Sequence, residues 1–521
     1  MIHNVIYRLI RNDKIDQMLN RATFKLLFLI GILAGFTGSP VSAQMSATPH
    51  HIALGGGVAY STGLSAHFIN PANLMLQNDQ RRHQITLGLG GVYYSEGFHL
   101  QKSDRLPAEA LSYFFPDDPP DANAITDAGF DRMFSDSDRY HMTQSYEMVP
   151  LGYSWSNGSR ARSFAMRSRG LASFEMNRNW FAADKIPDDP EAPFVRFLNE
   201  NYQVFHEISF AMAREVTMLN QWQAGLNTLY IGLSPKFLLG GMYSQVEYES
   251  VYQPVADGWQ NTGSMEMRLA GDMDRFLTEL LRTGDISQAY QNHFFPSSNF
   301  EINGVGFGID AGLTYIIPLG DDISLSPYSH EPLRKSLRFS IALTDLGVIR
   351  YHSNSTEWQS RSITRTYPHL PETDKRFTGK PGEVFQYLQN DPGEEIVLGN
   401  LARADESAFY VQLPTELHIG SALQYQWLTS MVDLNYRFNS PDFKTDGWRL
   451  SLGAELRLFR YFPVMGSIQM DPDGKTYVGA GAGLDLGMVK ATGAVRIFRS
   501  DFEEGQWYVN SLSALALQIR F

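Results

Sequence analysis

The chain has 521 residues, no cysteine, and 43 Lys and Arg against 56 Asp and Glu, for a net charge of −13. These values exclude a disulfide scaffold, a thiolate metal site and a cysteine nucleophile, and an acidic chain makes a poor partner for nucleic acid. Charged residues reach only 19% while aromatic residues reach 13%, and a mean hydropathy of −0.25 leaves no room for a bundle of apolar membrane helices.

The first element is an address. Leu26–Phe36 is an apolar run preceded by Arg21 and Lys25, too short to span a bilayer as a helix of about 20 residues. Val41 and Ala43 stand at −3 and −1 of a cleavage point before Gln44, so residues 1–43 are expected to form a cleaved signal peptide, with Met18 as an alternative start. These residues hold five basic and two acidic side chains, so the mature chain is more acidic, at −16.

A short segment, 44–80, precedes the first strand, and the rest, 81–521, is dominated by alternation of period two in stretches of about 10–14 residues. Ile208, Phe210 and Met212 oppose Glu207 and Ser209. Phe339, Ile341 and Leu343 oppose Arg338, Ser340 and Ala342. Thr415–Trp427 and Val432–Phe438 continue the pattern. In Trp448–Phe459, Trp448, Leu450, Leu452, Ala454, Leu456 and Leu458 oppose Arg449, Ser451, Gly453, Glu455 and Arg457. Val489, Ala491, Val495 and Ile497 oppose Lys490, Thr492 and Arg496. Glycines recur inside one strand at Gly479, Gly481 and Gly483, which a sandwich tolerates poorly and a crowded barrel lumen uses.

Strands of this length, apolar on one face and polar on the other, predict an all-β fold. The expectation is a transmembrane antiparallel barrel of about 14 strands (range about 12–16), with an N-terminal plug and long extracellular loops, a large soluble β-sandwich or a periplasmic propeller being the competing reading of the alternation. The long stretches Gln101–His141, Val251–Asn299 and Ser353–Val411 are expected as loops leaving one end, the second with an amphipathic helix at Met273–Leu281. The chain ends on Leu515, Leu517, Ile519 and Phe521 on one face. That ending has the form of the terminal-strand signal that outer-membrane barrels present to their insertion machinery. The expected location is the outer membrane of a Gram-negative-type bacterium, with its lipid and the insertion machinery as partners.

His51–Tyr60 (HIALGGGVAY) followed by Phe68-Ile69-Asn70-Pro71-Ala72-Asn73-Leu74 resembles the opening of the FadL/PorV-like outer-membrane barrels. Asn73 stands where that group usually has Gly, and Ser61–His67 stands where many members have a pair of Asp. Gly304–Tyr315 and Phe339–Arg350 resemble, more narrowly, a Bacteroidetes-type branch of that group with no assigned activity. The FadL resemblance implies 14 strands, an N-terminal hatch in the lumen, and passage of hydrophobic or amphipathic small molecules. The PorV resemblance implies instead a non-transporting anchor or assembly partner for a protein secretion system.

The candidate hatch or gating residues are Asn70, Pro71, Ala72 and Leu74, since Asn-Pro starts a turn. A plain turn ahead of the first strand is the competing reading. Candidate lumen-facing polar residues are Arg437, Arg449, Arg457, Lys490 and Arg496 with Glu416, Asp433, Glu455 and Asp485. They form either a wall that guides a solute or ion pairs that stiffen the barrel. The acidic clusters Asp117, Asp118, Asp121 and Asp136, Asp138 lack the glycine and distal Glu of a calcium loop. No nucleophile elbow, zinc motif or phosphate loop is present in the sequence, so no catalytic residue, metal or cofactor is expected.

Overall fold

A computed structural model describes residues 48–76, 82–99, 139–177, 193–216, 228–256, 258–285, 301–319, 335–360, 363–368, 401–404, 408–438, 447–459, 461–471, 475–499 and 507–521, with a few isolated positions between them. The expected signal peptide and the acidic cluster at residues 117–138 lie outside the described residues. Two short helices, α1 (Pro49–Leu54) and α2 (Leu64–Ile69), and a 3-10 turn (Pro71–Leu76) come first. The strands are β1 (His83–His99), β2 (Arg139–Ser156), β3 (Arg160–Asn177), β4 (Phe194–Glu215), β5 (Thr228–Val255) and β6 (Gly258–Ala270). After helix α3 (Asp272–Thr283) follow β7 (Gly304–Pro318), β8 (Lys335–Tyr351), β9 (Ser355–Ser360), β10 (Ile363–Tyr367), β11 (Leu401–Arg403) and β12 (Phe409–Gln412). The last seven are β13 (Glu416–Tyr425), β14 (Leu428–Arg437), β15 (Trp448–Leu458), β16 (Phe462–Met470), β17 (Thr476–Asp485), β18 (Val489–Arg499) and β19 (Trp507–Arg520).

Antiparallel pairing runs β1-β2-β3-β4-β5-β7-β8-β13 and on through β14 to β19, and β19 returns to β1 with Gln84 opposite Arg520. The fold is therefore a closed antiparallel barrel of 14 strands. His83 and Phe521 exchange both main-chain hydrogen bonds, which seals the seam where the chain ends. Closure leaves no unpaired edge in the ring, the condition for a sheet to cross a bilayer. Among the described residues no helix is long and apolar enough to cross a membrane.

The alternation resolves as inside and outside. On β15, Trp448, Leu450, Leu452 and Leu458 are exposed while Ser451 and Glu455 are buried. Exposed Ile208, Phe210, Leu233, Phe237, Phe307, Phe339, Ile341 and Ile468 continue the belt around the ring. An apolar surface this continuous belongs against lipid. On β5 the outward residues are Leu229, Ile231, Leu233, Pro235, Phe237 and Leu239, then Gln245, Glu247 and Glu249. The apolar stretch of that strand spans about 25 Å once a rise of about 3.3 Å and a tilt of about 40° are applied.

The barrel is lopsided. β5 has 28 residues and β4 has 22, whereas β16 has 9, about what one crossing needs. On the tall side β6 pairs with the upper part of β5, β9 and β10 pair with β6, β11 with β9, and β12 with the top of β8. The spans expected as loops at 251–299 and 353–411 thus contain strands that raise the wall above the belt. Their alternation is reversed in meaning: Met265, Met267 and Leu269 are buried inside while Glu266 and Arg268 face out. The expected helix is present as α3, flanked by Gly271 and Gly284, both at φ 69°. Its Met273, Phe276, Leu277 and Leu280 pack with Phe174, Met176, Leu198, Met265, Met267 and Trp358 into the largest apolar cluster.

Candidate functional site: a charge-free segment seated in the lumen

The inside of the ring is occupied, at the end where β1 begins and β19 finishes, by residues 48–76. All of them except Thr62 and Leu76 are buried, and none is Asp, Glu, Lys or Arg. Helix α1 packs against β15 to β19, α2 against β2, β3 and β8, and the 3-10 turn against β4, β5 and β7. Thr48 caps α1, with its hydroxyl accepting the His51 N–H at 3.3 Å, and Pro49 opens the first turn.

At the end of α1 the chain turns through Gly55 at φ 75° and Gly57 at φ 142°, conformations that suit glycine. The turn presents the Gly57 N–H to the carboxylate of Asp433, which projects from β14 and accepts it. A side chain at Gly56 or Gly420 would fall on that same carboxylate. The carbonyls that end α1 are met from the wall, Gly55 O by Ser451 Oγ at 2.7 Å and Ile52 O by Gln469 Nε2 at 3.4 Å.

Asn70 folds the next turn: its Oδ1 accepts the Ala72 N–H at 3.1 Å, and its Nδ2 donates to Val58 O and to Thr314 Oγ1, each at 2.9 Å. Asn73 donates to Val58 O at 2.7 Å and accepts from Thr314 at 2.6 Å. Asn73 therefore has a structural role here. Pro71 and Ala72 rest on Gly232, and Asn70 on Gly312, where a Cβ would collide. Leu74 is fully buried among Ala66, Ala161, Ala211 and Ala213. Gly453 and Gly479 likewise give room to the backbone of α1, and Gly481 to the Ala53 side chain. The strand glycines singled out in sequence are thus points of close approach.

Of the polar residues expected inside, Asp433, Glu455, Lys490 and Arg496 are buried on the inner face. Arg437 pairs with Glu416, Arg449 with Asp471 and Arg457 with Glu455, each at 2.7 Å. Arg457 also donates to the Tyr60 hydroxyl at 3.3 Å, and Lys490 Nζ lies 3.3 Å from His50 Nε2. Arg496 donates to Gln469 at 3.0 Å and stacks on Tyr477. Asp433, Glu455, Arg457 and Lys490 therefore touch the luminal segment, whereas Arg437 and Arg449 serve wall-to-wall pairs. Leu517 and Phe521 are exposed and Ile519 is half-buried, in line with the outer face of β19. The side chain of Leu515 lies outside the described residues.

Sequence reasoning missed the strongest ionic feature. Across β2 to β8, Glu147, Arg167, Arg169, Glu207, Lys236, Asp310 and Asp345 form one buried network beside the luminal segment. Lys236 bridges Asp345 at 2.7 Å and Asp310 at 2.8 Å, Arg169 reaches Asp345 at 2.9 Å, and Arg167 reaches Glu207 at 2.7 Å. The Arg167 guanidinium lies 4.4 Å above the ring of Phe68, which joins the network to α2. Asp345 adopts φ 57° in a bulge of β8, and its N–H donates to Asp310 at 2.7 Å. The available signal was charge at alternating positions, as in Arg167 and Arg169, but the members are spread over six strands.

The model of a family of unknown function, DUF5723, matches residues 82–495, from the start of β1 into β18. The chain belongs to the DUF5723 family. The matched stretch includes Asp433 and the ionic network, and it begins after the luminal segment. Among curated proteins, none matches this chain in sequence. Several solved structures are similar to this DUF5723 chain over most of its length. The Ralstonia pickettii toluene transporter TbuX is 11% identical over 91% of this chain and 98% of its own, with a TM-score of 0.43. The Pseudomonas putida toluene transporter TodX is 10% identical over 90% and 99%, at 0.39. A Pseudomonas aeruginosa FadL homologue is 11% identical over 93% and 98%, at 0.21.

Proposed function

We propose that this DUF5723 protein is an outer-membrane barrel that admits hydrophobic or amphipathic small molecules, with residues 48–76 as its plug and gate. The observation that carries this reading is the polarity of the tall wall. Above the lipid belt, Phe174, Met176, Leu198, Val246, Met265 and Met267 face inward while Glu247, Glu249, Glu266 and Arg268 face outward. The interior there is apolar and is filled by helix α3, so passage requires α3 as well as the plug to move; an apolar interior suits an apolar solute and repels ions, whose hydration it cannot replace. Below it, the luminal segment is held by directional contacts from the wall, chiefly Asp433, Thr314 and Ser451. Contacts of this kind make and break as a set, which suits a movable plug. Catalysis has no part in this proposal.

A second reading, an anchor or assembly partner for secreted proteins, draws on the tall polar outer wall and on the close seating of the segment against the strand glycines. Mass spectrometry of the barrel extracted from its native membrane separates the two. Lipid-like or hydrocarbon molecules co-purifying in stoichiometric amount support transport. A stoichiometric protein partner, with no solute flux in liposomes, supports the anchor.

A further inference from the structure

The luminal segment has no permanent charge, yet it carries three histidines, His50, His51 and His67, all buried against a wall rich in cations. We propose that these histidines form an acid-operated release: protonation drives residues 48–76 out of their seat. The inference rests on the plug reading above, because it requires a segment able to leave.

Each ring is placed where a proton is unwelcome. His50 Nε2 lies 3.3 Å from the Lys490 ammonium of β18. Protonation would remove that acceptor and set two cations in contact. Arg457 of β15 and Arg520 of β19 also face it, with Glu455 of β15 at 4.0 Å as its opposing charge and Asp485 of β17 beyond them. His51 has neither ring nitrogen hydrogen-bonded, so added N–H donors would find no acceptor. It faces His418 and Glu416 of β13, Arg449 of β15 and Arg496 of β18. His67 sits among the hydroxyls of Ser163 at 2.5 Å, Ser209 at 2.7 Å and Ser234 at 3.3 Å. Lys236 of β5 and Arg167 of β3 face it, with Glu207 of β4 opposing. Through those cations it also feels Glu147 of β2, Asp310 of β7 and Asp345 of β8.

Burial is the first cause that pulls all three rings from 6.5 down to about 3; Lys490 adds to it at His50 and His418 at His51, while at His67 Glu207 opposes it and Lys236 and Arg167 reinforce it. The sign follows. A released segment would titrate near 6.5, so seating is fully favoured above that value and is lost progressively as pH falls toward 3. Between about pH 7 and about pH 5 each histidine shifts the balance toward release by roughly 25-fold.

The test is hydrogen exchange of the full chain in detergent or nanodiscs, corrected for the intrinsic effect of pH. Protection of peptides from residues 48–76 should fall at least roughly 25-fold from about pH 7 to about pH 5, while peptides from β5 stay unchanged. The triple variant His50→Gln, His51→Gln, His67→Gln should lose the pH dependence, and the single His67→Gln should reduce it if the triple does not fold. Protection that does not change with pH, or that falls equally in the Gln variants, overturns the proposal. The readout involves no solute, so an absence of transport would leave this result standing and would count only against the plug reading.

Discussion

Replacing Asp433 by Ala should unseat the luminal segment while leaving the barrel closed. The Asp433 carboxylate is 1% exposed and accepts the Gly57 N–H. Without it, a buried donor loses its acceptor, so the seat weakens by about 1–3 kcal/mol. The lower figure is already about fivefold in the seated-to-released ratio at about 1.4 kcal/mol per factor of ten. The ring is unaffected because β14 pairs with β13 and β15 through its main chain. Hydrogen exchange should show residues 48–76 exposed at least roughly fivefold more often, with β5 and β8 peptides unchanged. Exchange within about threefold of the parent would refute the claim that this carboxylate anchors the segment, and loss of protection throughout would show that Asp433 supports the barrel instead.

Gly232→Ala should also loosen the segment, because the new Cβ meets the backbone of Pro71 and Ala72. A cost of about 1–3 kcal/mol is expected, read as raised exchange in the 70–76 peptide. Lys236→Met strips the shared partner from Asp310 and Asp345 and should cost about 3–5 kcal/mol, seen as a lower urea midpoint for the barrel. A midpoint equal to the parent's would show that the ionic network contributes nothing net. Deleting Phe521 removes the residue that closes the seam with His83, and the folded fraction on heat-modifiable gels should drop in cells. Equal assembly would rule out a role for the chain's last residue in insertion.

How far the sequence discloses this structure depends on the distance over which each feature is encoded. β15 was legible almost to the residue because strict alternation from Trp448 to Leu458 is a local property. The turn at Asn70-Pro71-Ala72 was legible too, since Asn-Pro turn chemistry acts within four residues. The partner of the Gly55–Gly57 turn was not, because Asp433 lies 376 positions away and reaches it across the lumen. The tall wall was hidden for another reason. In β6 the residues facing water are Glu266 and Arg268 and those facing inward are Met265 and Met267, so the stretch looked like a polar loop. The network around Lys236 was missed because its members come one or two to a strand, and only closure of the ring brings them together.

The proposed gating of apolar solutes by residues 48–76 is open to direct measurement. The most direct measurement compares uptake of a fatty-acid-like solute into liposomes holding either the full chain or a chain lacking 48–76, with folding of both checked by heat-modifiable mobility. Uptake is expected to be faster through the deleted form and slow through the parent. Equal uptake through two folded barrels would contradict it.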